Sequence, residues 1–357
     1  MFLIFTEREI ANILREIDVE SKVIPKYEPK IVNVVYDSRE EILYIVVLDR
    51  PDKSSLIGYG GLRVKKLKEK LGVKDVTVIT YVDLLVKKRR IKGALEKLNT
   101  ILNHLKNPIE KRVLQNYVKK LLEAELRYPP RTIPCLEKTD IVVPVAYSGG
   151  VDSTATLYLL WRLGLKPIAL TVDPGPFIIP DDIKERIVKA TKKLSLEHHF
   201  IKPKESFDEV INAALEGKVI PCSLCYPILI KTMYEWVKNK GMSLIFFGDL
   251  LSTSYSSIMF IDDYRVIRVN LPGALSLTKF DTKFISSKVL NETTDHIYGC
   301  PLLREAFRRH RWAKFIAYGR VLRETRAGIL EPMEALRYIK KIDKAYYSYF
   351  TKYFRNP

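Results

Sequence analysis

Apolar residues along this chain keep two different rhythms, and the change falls near Pro134. At the start, Ile10, Ile13, Leu14 and Ile17 recur at helical spacing behind Thr6 and Glu9, a pair that forms a capping box. Two strand-like runs follow, Ile31 to Tyr36 and Ile42 to Leu48. Pro51 opens a short helical turn that ends at Leu56-Ile57. After Gly58-Tyr59-Gly60-Gly61 the pattern predicts a helix over Leu62 to Leu71 and a strand over Val76 to Tyr81. Val86 to Leu126 has no strand signal and reads as helical. Pro129-Pro130 and Pro134 then mark a stiff boundary.

Beyond Pro134, strands and helices alternate. Strands are predicted at Ile141–Ala146, Pro167–Val172, His198–Ile201 and Ser243–Phe247, and helices at Thr154–Leu163, Asp181–Leu194, Phe207–Leu215 and Tyr226–Lys238. Alternation of this kind predicts an α/β fold: a parallel sheet with helices on both faces and ligands outside the carboxyl ends of the strands. Three parts are expected: a small α+β domain over residues 1–86, a basic helical linker over 87–133 and an α/β domain over 134–357.

The segment Ser148-Gly149-Gly150-Val151-Asp152-Ser153-Thr154 joins the first of those strands to its helix. A glycine turn feeding a helix N-terminus is an anion cradle, because unpaired N–H groups and the positive end of the helix dipole point at the ligand. The two glycines permit positive φ and close approach, and the three hydroxyls add donors. Asp152 is placed to order the loop or face a metal. The pattern lacks the lysine of a Walker A loop. It resembles the signature of the PP-loop ATP pyrophosphatases, with their HUP-like α/β fold. That resemblance implies Mg2+ and ATP, cleavage between the alpha and beta phosphates, and AMP placed on a substrate oxygen. Asp173 and Gly248-Asp249 stand at strand ends where nucleotide contacts belong, although strand-end aspartates also serve as helix caps.

Four cysteines are present: Cys135, Cys222, Cys225 and Cys300. Cys222-Ser223-Leu224-Cys225 opens a helix, a position that lowers a thiol pKa. A CxxC with one distant cysteine, all downstream of the phosphate loop, resembles the TtcA/TtuA group of iron–sulfur tRNA-thiolation enzymes. The resemblance implies that Cys222, Cys225 and Cys300 hold a 4Fe–4S cluster with one iron open to sulfide, and that Asp152, Cys222 and Cys300 serve catalysis. Zinc, a redox disulfide or persulfide, and inert packing are the alternatives at these thiols. Cys135 reads as structural.

The N-terminal element order, with Leu56-Ile57-Gly58-Tyr59-Gly60-Gly61-Leu62-Arg63-Val64 at its centre, resembles a type II KH domain. This implies that Gly58, Tyr59, Gly60 and Gly61 clamp a nucleic-acid backbone, with Arg63, Lys65 and Lys66 adding charge. Lys87-Lys88-Arg89-Arg90 and Lys92 form a basic run that faces either phosphates or solvent. Lys279 could neutralise a phosphate but reads rather as a solvated surface lysine, and His198-His199 read as packed or strand-end residues rather than ligands.

Composition agrees with an RNA partner. Sixty Lys and Arg stand against 42 Asp and Glu, a formal charge of +18. The single glutamine, Gln115, with abundant charged residues, is thermophile usage. No run is apolar enough to span a bilayer and no leader is visible, so no membrane partner and a cytoplasmic location are expected. The combined expectation is an ATP-dependent tRNA sulfurtransferase. A PP-loop enzyme acting on a small molecule and a non-enzymatic RNA binder are the rivals.

Overall fold

Thr6 and Glu9 form the expected box: the Thr6 hydroxyl accepts from the Glu9 N–H at 3.2 Å, and the Glu9 carboxylate accepts from the Thr6 N–H at 2.8 Å. They open α1 (Glu7–Ser21), whose Ile10, Leu14 and Ile17 are buried. The computed structural model describes residues 5–22, 24, 27–290 and 299–344. The C-terminal run of Tyr346, Tyr347, Tyr349, Phe350, Tyr353 and Phe354, whose spacing predicts a helix packing its aromatic face on the core with base stacking as the alternative, lies outside them. The chain divides into two units, Met1–Lys92 with Glu123–Thr132, and Gly93–Leu122 with Ile133–Pro357.

In the first unit α1 is followed by β1 (Ile31–Asp37), β2 (Ile42–Val47), α2 (Arg50–Ile57), α3 (Leu62–Leu71) and β3 (Asp75–Thr80). These are the elements the apolar pattern placed, shifted by a residue or two at their ends. β1 pairs antiparallel with β2, and β2 pairs parallel with β3. All six residues of β2 are buried because it is the central strand. Leu43, Ile45 and Val47 meet Leu56 of α2, Leu67 of α3 and the buried face of α1 in one core.

The stretch expected as a linker is helical throughout most of its length: α4 (Tyr81–His104), α5 (Pro108–Val113), a π turn at Leu114–Val118 and α6 (Lys119–Glu125). The two units share it.

The second unit is built on β4 (Val142–Ala146), α7 (Val151–Arg162), β5 (Lys166–Val172), α8 (Asp181–Lys193), β6 (His198–Ile201), α9 (Asp208–Leu215), α10 (Pro221–Asn239) and β7 (Leu244–Phe247). A hairpin of β8 (Ile258–Ile261) and β9 (Val266–Asn270) follows, then α11 (Leu271–Ala274), α12 (Lys279–Ser286), α13 (Pro301–Arg309), α14 (Arg311–Arg326) and α15 (Pro332–Lys344). The sheet order is β6-β5-β4-β7-β9-β8, parallel except that β8 runs against β9. The antiparallel edge strand is an addition to the parallel sheet expected. Successive strands step outward from β4 to β6, and β7 then returns to the other side of β4. That reversal opens a crevice at the carboxyl ends of β4 and β7, where open α/β sheets take ligands.

Part of the basic run turns inward. Lys87 is buried and pairs at 2.8 Å with Glu125, which Arg131 also holds at 2.9 Å. Lys87 therefore faces neither phosphate nor solvent. Burial alone would raise the Glu125 pKa, but Arg131 and Lys87 outweigh it and hold the carboxyl below its usual range. A lowered folded pKa stabilises the fold above the unfolded value of about 4.3 and ceases to do so as pH falls through the folded value. Glu125→Gln leaves two buried cations poorly paired and is expected to cost about 3–5 kcal/mol at neutral pH. Denaturant titrations across pH 3–7 should show a shallower acid-side loss of stability in the variant than in the parent. Parallel acid limbs would contradict this account.

Candidate active site

β4 carries the chain to the edge of the crevice, and the Tyr147 N–H extends its ladder by donating to the Leu170 carbonyl at 2.8 Å. The turn then closes on itself. The Ser153 hydroxyl accepts from the Ser148 N–H at 3.3 Å and bonds the Ser148 hydroxyl at 3.1 Å. Thr154 bonds the buried Tyr147 hydroxyl at 3.2 Å and donates to the Gly150 carbonyl at 2.9 Å. Gly149 has φ +69°, a region that favours glycine. Gly150 is the N-cap of α7 and gives no side-chain cap, which leaves first-turn N–H groups facing an incoming anion.

Gly248, just past β7, meets this turn closely: a Cβ there would stand 2.7 Å from Ser153 N and 2.9 Å from the Asp152 carbonyl carbon. A side chain would push the two backbones apart. Gly248 thus supports the loop by lacking a side chain, whatever else it contacts. Asp249 caps its own turn, accepting from the Leu251 N–H at 2.9 Å and the Ser252 hydroxyl at 2.6 Å. Asp173 does likewise, accepting from the Gly175 N–H at 3.0 Å and pairing with Lys184 at 2.7 Å.

Asp152 is held from α12. Its carboxylate accepts from Lys279 Nζ at 2.6 Å and from the Thr282 hydroxyl at 2.7 Å. The solvated-lysine reading of Lys279 is therefore corrected. Burial alone would lower the Lys279 pKa, but Asp152 outweighs it and raises it above the usual lysine range. The signal missed was the Thr278–Asp281 capping box, which starts α12 at Lys279 and fixes where that side chain emerges. The turn thus gathers N–H groups, hydroxyls and one anchored cation, a donor set that fits a polyphosphate with its magnesium.

The three expected thiols come together. Cys222 and Cys225 lie at the start of α10, and Cys300 is the N-cap of α13. Cys300 packs in one apolar cluster with Cys222 and in another with Cys225. The Leu302 N–H donates to the Phe177 carbonyl at 2.9 Å, fixing the start of α13 to the loop after β5, at the carboxyl edge of the sheet. Pro227 has no N–H to give the Ser223 carbonyl, so that acceptor beside the thiols lacks its helical partner.

The expectation of a lowered thiol pKa is corrected at Cys225. Burial pushes Cys225 up to about 12, with Cys300 and Cys222 adding to it. Burial likewise pushes Cys300 up to about 11, although N–H groups of Leu303 and Leu302 and the charge of Arg304 pull the other way. Desolvation outweighs the helix N-terminus here. Among the described residues, no group of three or more His, Cys, Asp or Glu is arranged to hold a metal ion. The chemistry of the donor set, three soft sulfurs and no carboxylate, fits iron–sulfur or another thiophilic centre once protons are displaced. Cys135 is exposed, contrary to the structural role read from the sequence. His198 is packed as expected, bonded to Thr171 at 2.9 Å and pushed by burial down to about 4.

In the other unit, Tyr59 is fully exposed on the loop between α2 and α3, and Gly58, Gly60 and Gly61 all have positive φ. Lys65 is exposed, and Lys66 donates to the Ser21 hydroxyl at 2.8 Å. Arg63 is a correction. It is only 4% exposed, and its guanidinium is forked onto Asp18 and donates to the Ser55 carbonyl at 2.7 Å. Its donors are committed to anchoring α1, because a carboxylate buried there needs a charged partner.

No protein-family model matches the chain. The chain is similar to argininosuccinate synthase of Methanococcus maripaludis, 34% identical over 115 residues, which are 30% of this chain and 28% of that protein. It is also similar to the tRNA-specific 2-thiouridylase MnmA 3 of Phocaeicola vulgatus, 28% identical over 129 residues, 32% of this chain and 34% of that protein. The chain therefore spans about a third of the length of these curated relatives. Among solved structures, the U34-tRNA thiolase NcsA from Methanococcus maripaludis, determined with its [4Fe-4S] cluster, aligns with a TM-score of 0.38 and 16% identity, covering 65% of this chain and 78% of that one. These relatives are members of the PP-loop superfamily, whose signature the segment Ser148–Thr154 resembles.

Two measurements check the geometry. Gly248→Ala should lower stability by about 1–3 kcal/mol through overpacking against α7, read by denaturant titration; an unchanged midpoint would count against the tight contact. In the metal-free protein at pH 8, iodoacetamide should label Cys135 at least about tenfold faster than Cys225 or Cys300, because thiolate is the reactive form. Peptide mass spectrometry reads the rates, and equal labelling would contradict the raised thiol pKa values.

Proposed function

We propose that this protein is an ATP-dependent RNA sulfurtransferase, with tRNA as its substrate. The observation that carries the reading is the convergence of Cys222, Cys225 and Cys300 at the same sheet edge that presents the phosphate loop. The PP-loop relatives support ATP use, and the named thiouridylase among them supports tRNA.

In this reading the start of α7, with the hydroxyls of Ser148 and Ser153, holds the phosphates of MgATP. Lys279, kept at the turn by Asp152, offsets their charge. A pyrimidine carbonyl oxygen attacks the alpha phosphorus; the alpha–beta P–O bond breaks and pyrophosphate leaves. A sulfide then attacks the activated carbon, the C–O bond breaks, and AMP departs with the oxygen. The rate gain comes from positioning and charge neutralisation. Cys222, Cys225 and Cys300 would hold a 4Fe–4S cluster, which would supply an iron open to sulfide. The Gly58–Gly61 loop, Tyr59, Lys65 and Lys66 of the KH-like unit hold RNA backbone, and the chain's +18 charge favours that partner. The chain has no helix among its described residues long and apolar enough to cross a membrane, which accords with a cytoplasmic site of action.

Anaerobically purified protein given MgATP, sulfide and unmodified tRNA should release pyrophosphate and yield a thiolated pyrimidine, seen by mass spectrometry of the digested nucleosides. Cys300→Ser should abolish sulfur incorporation while leaving ATP binding within about twofold, since Cys300 belongs to the start of α13 and the phosphate turn to the start of α7. ATP–pyrophosphate exchange that proceeds equally without RNA would instead favour a small-molecule substrate, and the absence of exchange would favour a binding protein.

A further inference from the structure

We propose that Tyr226 is the stacking platform on which the target pyrimidine is seated. This rests on the RNA sulfurtransferase reading above and adds a residue to that site. No motif in the chain points to Tyr226; the fold does.

Three observations carry it. First, Tyr226 is tied to both halves of the site. It follows Cys225 directly in α10, and Nη2 of Arg268, on β9, donates to its hydroxyl at 3.0 Å. The same guanidinium lies 4.1 Å from the centre of the Phe247 ring and 3.9 Å from the Asp249 carboxylate. Those two residues flank Gly248, which packs on Asp152 and Ser153 of the phosphate turn. The short connection from α10 to β7 puts the end of α10 at the amino edge of the sheet, and its start, with Tyr226, at the carboxyl edge. Second, the mount is buried and the platform is not: Arg268 is 7% exposed and Tyr226 50%. The guanidinium fixes the far end of a ring whose near end the helix already fixes. Third, Asn270 is fully buried and uses its side-chain carbonyl to accept from Arg268 Nε at 2.9 Å, leaving its own Nδ2 with no acceptor among the described residues. An unpaired buried donor costs stability, so the fold gives some up to keep Arg268 in place.

An aromatic ring held at both ends and half open to solvent suits a nucleobase. Every base has a π face, and a ring already fixed loses little freedom when a base is laid on it. A pyrimidine seated on Tyr226 is beside the thiols of α10 and beside the turn that Gly248 supports. Oxygen activation and sulfur delivery at one carbonyl require both.

The test is thiolation kinetics of the full chain on unmodified tRNA, comparing the parent with Tyr226→Leu and Tyr226→Phe. Loss of a stacked base should lower kcat about 5- to 150-fold in Tyr226→Leu, and Tyr226→Phe, which keeps a ring, should recover most of it. ATP affinity, bound iron and melting temperature should match the parent in both variants. Affinity for tRNA should change less than about threefold, because contacts to the phosphate backbone supply most of it. Parent-like kcat in Tyr226→Leu overturns the assignment. So does a fall in kcat accompanied by lost iron or a lowered melting temperature, which is the mark of a packing role beside Cys225. A loss in Tyr226→Phe as deep as that in Tyr226→Leu also overturns it, since the hydroxyl and not the ring would then be at work. A parent protein that thiolates no tRNA would remove the sulfurtransferase reading itself, a result distinct from these.

Discussion

The contact on which the second unit depends is between two stretches of backbone. Gly248 lies against Asp152 and Ser153 so closely that one methyl group would have no room. This meeting follows from strand order. β4 and β7 are neighbours in the sheet but far apart in the chain, and the chain changes direction between them. Both strands end at the same edge, so the start of α7 and the turn after β7 must share one small space. α12 completes the support, because its Lys279 and Thr282 take both oxygens of Asp152. A turn braced on two sides holds its backbone N–H groups in fixed directions, as a preorganised donor set requires.

The cysteines illustrate a contest between two electrostatic effects. The beginning of a helix favours a thiolate through its dipole, and an apolar surrounding disfavours it through lost hydration. At Cys225 and Cys300 the second effect wins; Cys300 and Cys222 push Cys225 up further, and Cys222 adds to the rise at Cys300. Three sulfurs gathered from α10 and the start of α13 are nevertheless the sort of donor set that soft metals prefer. The same burial that keeps these groups neutral is what would shield a centre built on them from water.

Much of this was legible in the residues. The apolar rhythm located α1, both units' main strands and the helices between them, because those segments have long, regular faces. The turn at Ser148–Thr154 was legible as a turn because its glycines stand between a strand run and a helical run. The hairpin of β8 and β9 was not, since Ile258–Ile261 is short and its meaning depends on pairing with Val266–Asn270. Arg63 and Lys87 were misread for a related reason. Each sits in a basic stretch that looks solvated, and only the fold brings Asp18 and Glu125 against them. Lys279 was undervalued because its partner, Asp152, lies 127 positions away in the chain. Periodicity records which face turns inward; it carries no information on which distant charge will be waiting there.

The high thiol pKa values also bear on the life of the protein in air. Peroxide and disulfide reagents attack thiolates, so cysteines that keep their protons resist conversion to sulfenic acid and to mixed disulfides. Burial at Cys225 and Cys300 thus acts as an antioxidant device that needs no repair enzyme.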